Sequence, residues 1–139
     1  MEITDTKVFV SYTDSDRELI QPLFNVLENK GYTVYTQYPV FLRTQSYVFK
    51  IMTRMSQVAK TGFYIFIFTQ ESINSDTVKM HLEYAVSNEA LIIPIVIGKF
   101  ELPEDFQSLI GNRQQFPTEP TEEGFEKVLD KLDIAVKKQ

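Results

Sequence analysis

The chain lacks residue types on which several common kinds of functional site depend. It has 139 residues, no cysteine and a single histidine. Without cysteine there can be no disulfide, no thiolate metal site and no cysteine nucleophile, and one histidine cannot build a multi-histidine site. We therefore expect no metal ligands among the functional residues.

Long apolar runs and basic stretches are also missing. The longest apolar runs are FYIFIF (63–68) and LIIPIVI (91–97), far short of the ~20 residues that cross a bilayer. The N-terminus has no basic region followed by an apolar segment, as a secretory signal would. The net charge of −5, with no stripe of lysine and arginine, argues against nucleic acid. These features predict a soluble cytoplasmic protein with neither a nucleic-acid nor a membrane partner.

Short β-rich runs alternate with segments of helical spacing along the chain. The β-rich runs cover 7–12, 32–36, 63–68 and 91–97, with a possible fifth at 114–116, and helical spacing covers 15–31, 47–60, 75–86, 102–111 and 122–136. Strands that alternate with helices imply right-handed crossovers and a parallel sheet. The sequence predicts an α/β, flavodoxin-like three-layer sandwich, a five-stranded parallel sheet with helices on both faces, in one domain over residues 1–139.

Local signals predict where some of these elements begin and end. Ser15 and Glu18 have the spacing of a capping box, and Gly31 suits a helix stop. Pro22 would cost a backbone hydrogen bond inside a helix, so the regular helix is expected to begin near it. Pro94 cannot donate to a sheet ladder, which predicts a less central position for the run at 91–97.

In open parallel sheets, ligands bind beyond the carboxyl ends of the strands. The relevant loops are then 12–16, 37–47 and 69–77. A phosphoacceptor site needs a carboxylate after the third strand, where Thr69 and Gln70 stand instead. A phosphate cradle needs glycines, whereas the first loop, SYTDSDRE, has none and carries three acidic residues. Neither the receiver nor the dinucleotide-binding class fits.

Two long segments of the chain resemble a known family. Residues 7–36 resemble the first third of a Toll/interleukin-1 receptor (TIR) domain, with its Phe-x-Ser-Tyr strand end, acidic helix start and Gly-Tyr-x-Val second strand. Residues 58–97 are similar to the family's third strand, Ser-x-Trp segment, Glu-Leu helix and Ile-Ile-Pro-Ile strand. The resemblance extends over nearly the whole chain and is closest to bacterial-style members.

The resemblance implies one of two activities. Some TIR domains cleave NAD⁺ at the nicotinamide–ribose bond, using a helix glutamate four residues after the tryptophan of Ser-x-Trp, whereas others only assemble with like domains. Here Ser75 matches the serine, Thr77 replaces the tryptophan, and His81 falls on the glutamate position. Glu83 lies two residues farther along, which rotates its side chain by ~200° on a helix. His81 and Glu83 are expected to flank the packed face of that helix on opposite sides.

The cleavage chemistry requires a carboxylate, because nicotinamide departure leaves an oxocarbenium-like ribosyl cation that an anion stabilises. Glu83 and His81 are therefore the candidate catalytic residues. Ser11, Tyr12, Arg43 and Thr77 are the candidate substrate contacts. NAD⁺ would be the substrate, with no further cofactor.

By the resemblance, the loop at 37–47 corresponds to a surface through which TIR domains commonly associate. The resemblance makes Phe41, Leu42 and Arg43 the candidate assembly residues. It also makes other TIR domains, including further copies of this chain, the expected protein partners.

Three functional hypotheses stay open at the level of sequence. The leading one is a signalling or defence protein that cleaves NAD⁺, by hydrolysis or cyclisation, when self-assembled. The main alternative is a non-catalytic TIR module that signals by association, and the third is a domain that binds NAD⁺ without turning it over. Structural interpretations compete for the same residues: Glu83 as a solvent-facing side chain, His81 at a core boundary, and Asp14 with Asp16 as helix caps.

Overall fold

The structure, a computed structural model, describes residues 7–36, residue 55 and residues 62–137. Its strands are β1 (Lys7–Ser11), β2 (Thr33–Thr36), β3 (Gly62–Phe68), β4 (Leu91–Val96) and β5 (Phe116–Pro117). Its α-helices are α1 (Gln21–Asn29), α2 (Asp76–Ser87), α3 (Glu104–Ile110) and α4 (Glu122–Lys137), with short 3₁₀ turns at Asp14–Asp16 and Ser72–Asn74. The helix predicted over 47–60 lies outside the described residues, except for Met55, which is helical.

The five strands form one parallel sheet in the order β2-β1-β3-β4-β5. The predicted flavodoxin-like α/β fold is confirmed. The order reverses between β1 and β3, because the chain first moves outward from β1 to β2 and then crosses to the other side of β1. This is the switch point at which such sheets open a crevice between neighbouring loops.

Side chains that alternate along the strands build a separate core on each face of the sheet. On one face, Val8, Val10 and Ile65 pack with residues of α1 and α4. On the other face, Phe9 and Phe66 pack with residues of α2 and α3. Helices α2 and α4 therefore lie on opposite faces of the sheet.

The first helix begins later than its capping signals predict. A 3₁₀ turn over Asp14–Asp16 comes first, α1 begins at Gln21, and neither element has a side-chain cap hydrogen bond. The predicted Ser15–Glu18 capping box is therefore wrong. The prediction from Pro22 is confirmed, because proline fits the first turn of a helix, where its missing N–H is not needed. Gly31 follows the helix with φ +86°, as the predicted stop requires.

Pro94 occupies an edge-facing position of β4. The carbonyl of Val96 accepts from the N–H of Thr118 at 3.0 Å, so the backbone of Val96 points toward β5. Backbone direction alternates along a strand, so Pro94, two residues earlier, points the same way. β5 pairs only with Ile95 and Val96, so no described strand requires the N–H that Pro94 lacks.

Candidate functional site

The end of β1 and the middle of α2 meet in a buried polar contact. The Oγ of Ser11 lies 3.0 Å from Nδ1 of His81. Ser11 is fully buried, His81 is 2% exposed, and the ring of Phe9 meets the imidazole edge to face at 5.7 Å. His81 thus lies inside the packed face of α2, deeper than the boundary position that the helical angles predict, because α2 rests directly on this end of β1.

The start of α2 explains how His81 reaches this place. Ser75 is the N-cap, and its Oγ accepts the N–H of Val78 at 3.1 Å. Val78, Leu82 and Ala85 then pack against the sheet. His81 directly precedes Leu82 on this face, so the capped start of the helix fixes the direction in which the imidazole points.

The imidazole is kept neutral by its surroundings. Burial lowers the pKa of His81 to about 4, because a charged ring would lose its hydration inside an apolar cluster. A neutral imidazole satisfies the bond to Ser11 in either tautomer, as acceptor from the hydroxyl or as donor to it. At neutral pH this position therefore supplies neither a negative charge nor a cation.

A second polar cluster lies at the switch point, and sequence reasoning missed it. Asp16 is 6% exposed, and its Oδ2 accepts the hydroxyls of Thr13 at 2.9 Å and Thr69 at 2.6 Å. Thr69 and Ser72 also bond each other, through N–H of Thr69 to Oγ of Ser72 at 2.8 Å and N–H of Ser72 to Oγ1 of Thr69 at 3.1 Å. The cluster joins the loop after β1 to the loop after β3.

The sequence contains a pattern from which this cluster could have been predicted. Asp16 and Thr69 both come shortly after strands that a parallel fold places side by side. The helix-cap interpretation of Asp14 and Asp16 accounts for neither residue in the structure. Asp16 bonds across the crevice, and exposed Asp14 pairs with Arg17 at 2.5 Å.

The remaining predicted site residues are not gathered around His81. Glu83 and Thr77 are exposed on α2. Tyr12 is fully buried on the opposite face of the sheet, with its ring against Phe24 at 5.9 Å, because successive residues of an extended strand alternate in direction. Among the predicted substrate contacts that the structure describes, Ser11 alone touches His81.

Part of the prediction cannot be placed. The candidate assembly residues Phe41, Leu42 and Arg43, the last also a candidate substrate contact, lie outside the described residues. Within the described ranges, no three His, Cys, Asp or Glu side chains come together as a metal site would need. No helix in those ranges is long and apolar enough to cross a membrane.

Comparison with solved structures finds the same fold at low sequence identity. A Clostridium botulinum CMP N-glycosidase, BcmB, is 17% identical with a TM-score of 0.64, over 91% of this chain and 99% of that chain. The TIR domains of the activated Roq1 resistosome, which recognises the pathogen effector XopQ, are 14% identical with a TM-score of 0.59, over 95% of this chain and 99% of that chain.

Sequence comparison carries the family assignment. No curated protein sequence matches the chain. A family model described as TIR domain matches residues 8–129, a range that includes both polar clusters and, apart from Lys7, all five strands. The segments that resemble the family in the sequence lie almost entirely within this range. The chain therefore belongs to the TIR domain family.

Proposed function

We propose that this chain is a non-catalytic TIR module that signals by association with other TIR domains, including copies of itself. One observation carries the proposal: His81, which the resemblance matches to the family's catalytic glutamate, is a buried neutral imidazole bonded to Ser11. A neutral ring cannot stabilise a ribosyl cation as a carboxylate does. The Roq1 TIR domains, which function within a resistosome, support association as the mode of action.

The carboxylate that sequence analysis favoured does not replace the missing glutamate. Glu83 is exposed on α2, whereas His81 is buried in the packed face of the same regular helix. A side chain turned by ~200° cannot share the environment of its neighbour two positions away. Turnover through Glu83 would require a different helix register or a second chain.

NAD⁺ cleavage in the assembled state is the second candidate, with NAD⁺ as substrate and no added cofactor. Two observations favour it. Asp16 is a nearly buried carboxylate at the switch point, where ligands bind in such sheets. The structural similarity to BcmB, a CMP N-glycosidase, is consistent with scission of an N-glycosidic bond. In this alternative Glu83 and His81 stay candidate catalytic residues, Ser11, Tyr12, Thr77 and Arg43 candidate contacts, and NAD⁺ binding without turnover is the lesser variant.

The deciding measurement is nicotinamide release from NAD⁺, followed by chromatography at rising protein concentration and under crowding. We expect no release from the wild type above the buffer level. Three variants accompany it: Glu83→Gln, Asp16→Asn and His81→Glu. Release by His81→Glu alone would support the proposal, because it would show that only the carboxylate is absent.

Release by the wild type would contradict the proposal. If Glu83→Gln abolished that release, the chemistry would lie on Glu83, and if Asp16→Asn abolished it, on Asp16.

A cytoplasmic location and a single domain over residues 1–139 are part of the same proposal.

A further inference from the structure

One helix face of this molecule combines an exposed apolar side chain with acidic neighbours. Asp76, Met80 and Glu83 lie at i, i+4 and i+7 on α2, which places them on one side of the helix. Met80 is 55% exposed and is the one large hydrophobic side chain exposed in the described part of the chain. Neither carboxylate forms an ion pair within those ranges. Lys79, one turn from each, attracts both, but its ammonium is paired with Asp105 at 2.8 Å. We call these three residues the α2 stripe.

A groove with basic residues lies beside α4, the helix that covers the opposite face of the sheet from α2. It encloses about 410 Å³ between β5 and α4, and its lining includes Lys127, Val128 and Lys131. Neither lysine has an ion-pair partner among the residues that the structure places. Glu119 and Glu123 line the groove too. Glu123 lies one helical turn before Lys127 and about two turns before Lys131. The positive charge is therefore confined to the end of the groove that holds the lysines. We call this the α4 groove.

The carboxylates of the α2 stripe are opposite in charge to the lysine end of the α4 groove, and the two spacings differ by about 4 Å. Asp76 and Glu83 are about 10 Å apart along their helix axis, and Lys127 and Lys131 are about 6 Å apart along theirs. Long lysine side chains can span the difference. Methionine is unbranched and flexible, so the side chain of Met80 suits an irregular groove of this size.

We propose that the α2 stripe of one copy docks into the α4 groove of the next copy. This inference rests on the proposed function and names the surfaces that carry the association. A lone exposed methionine would need no explanation. Here it lies between two carboxylates that form no ion pair with the described residues, and the same chain offers an open groove whose two lysines form none there either.

The fold makes this contact head to tail. Helices α2 and α4 cover opposite faces of the sheet, so a copy that uses its α2 stripe leaves its own α4 groove free for another copy. A contact between two different surfaces of the same molecule generates rings or open filaments rather than a closed twofold dimer.

Charge reversal tests the contact by analytical ultracentrifugation over a range of protein concentrations. One variant carries Asp76→Lys and Glu83→Lys, and the other carries Lys127→Glu and Lys131→Glu. We expect the wild type to grow beyond a dimer and each variant alone to associate at least tenfold more weakly. An equimolar mixture of the two variants should regain association, because each reversed surface then meets its reversed partner.

A matched control separates the contact from net charge and from folding. Glu28→Lys with Glu126→Lys changes two exposed helix carboxylates outside both surfaces, with the same change in net charge as the α2-stripe variant. It should associate at least as well as the wild type. Circular dichroism must show that every variant is folded, and Met80→Ser should weaken association without any change of charge.

The outcomes distinguish this inference from the proposed function. Wild-type association that neither reversed variant weakens would overturn the docking contact and leave association through another surface in place. A wild type that stops at a dimer would also overturn it. A wild type that stays monomeric and releases nicotinamide would overturn the proposed function itself.

Discussion

At the scale of single residues, His81 is the position at which the resemblance leads us to expect a glutamate and the structure has a buried imidazole. A carboxylate there would have to be buried beside Phe9 and bonded to Ser11, whereas a neutral imidazole fits both neighbours. A neutral group pays less desolvation free energy than an ion in the same place. The histidine thus acts as a packing residue with one polar bond.

The burial of His81 makes stability depend on pH. Its pKa is about 4 in the folded chain against 6.5 for the free side chain. Between these values the unfolded chain binds a proton that the folded chain does not, so the free energy of unfolding falls as pH drops from 6.5 toward 4. The full effect is about 3 kcal/mol. Urea denaturation at several pH values measures it.

The His81 contribution is isolated by a variant that keeps the polar bond but does not titrate. The pH dependence that His81 contributes should be absent from His81→Gln. The difference in free energy of unfolding between wild type and variant should therefore shrink as pH falls from 6.5 toward 4. Equal slopes in both proteins would mean that the imidazole is not buried as described.

Asp16 is predicted to hold the two loops at the switch point together. Asp16→Ala removes the shared acceptor of Thr13 and Thr69 and leaves one half-buried and one buried hydroxyl without it. We expect a loss of about 1–3 kcal/mol in the free energy of unfolding, measured with urea. Asp14→Ala is the control, because Asp14 makes only an exposed ion pair with Arg17, which contributes less than about 1 kcal/mol. Equal losses in both variants would contradict the bridging role.

At the scale of elements, the start of α2 decides where its side chains point. Ser75→Ala removes the one side-chain cap of this helix and should cost about 1 kcal/mol. Ser87→Ala is the matched control, because Ser87 is exposed at the last turn and bonds only the carbonyl of Tyr84. Thermal unfolding followed by circular dichroism compares the two, and a control as destabilised as Ser75→Ala would argue against a capping effect.

The capping box predicted for α1 is wrong, whereas α2 has a serine cap that was not predicted. Ser75 lies directly before a periodic apolar run, so its side chain meets a free N–H of the first turn. Ser15 and Glu18 have suitable spacing too, but Pro22 sets the start of α1 several residues later. Spacing gives the candidate cap, whereas the residue that fixes the backbone angle decides the boundary.

At the scale of the whole molecule, the fold could be predicted because it follows from periodicity. Continuous apolar runs such as 63–68 require cover on both faces, and helical segments between them supply it. The site was harder, because its contacts join residues far apart in sequence. Ser11 and His81 are 70 positions apart in sequence. Their contact becomes visible only when the structure shows that α2 packs on the end of β1.

The direction of Pro94 has a consequence for how copies of this molecule can join. On the β5 side of β4, no described strand pairs with residues 91–94. An unpaired strand edge of this kind can accept a strand from another chain. Pro94 removes one donor from that edge, which interrupts any continuous ladder. Extension of the sheet into a cross-β stack along this edge is thereby discouraged.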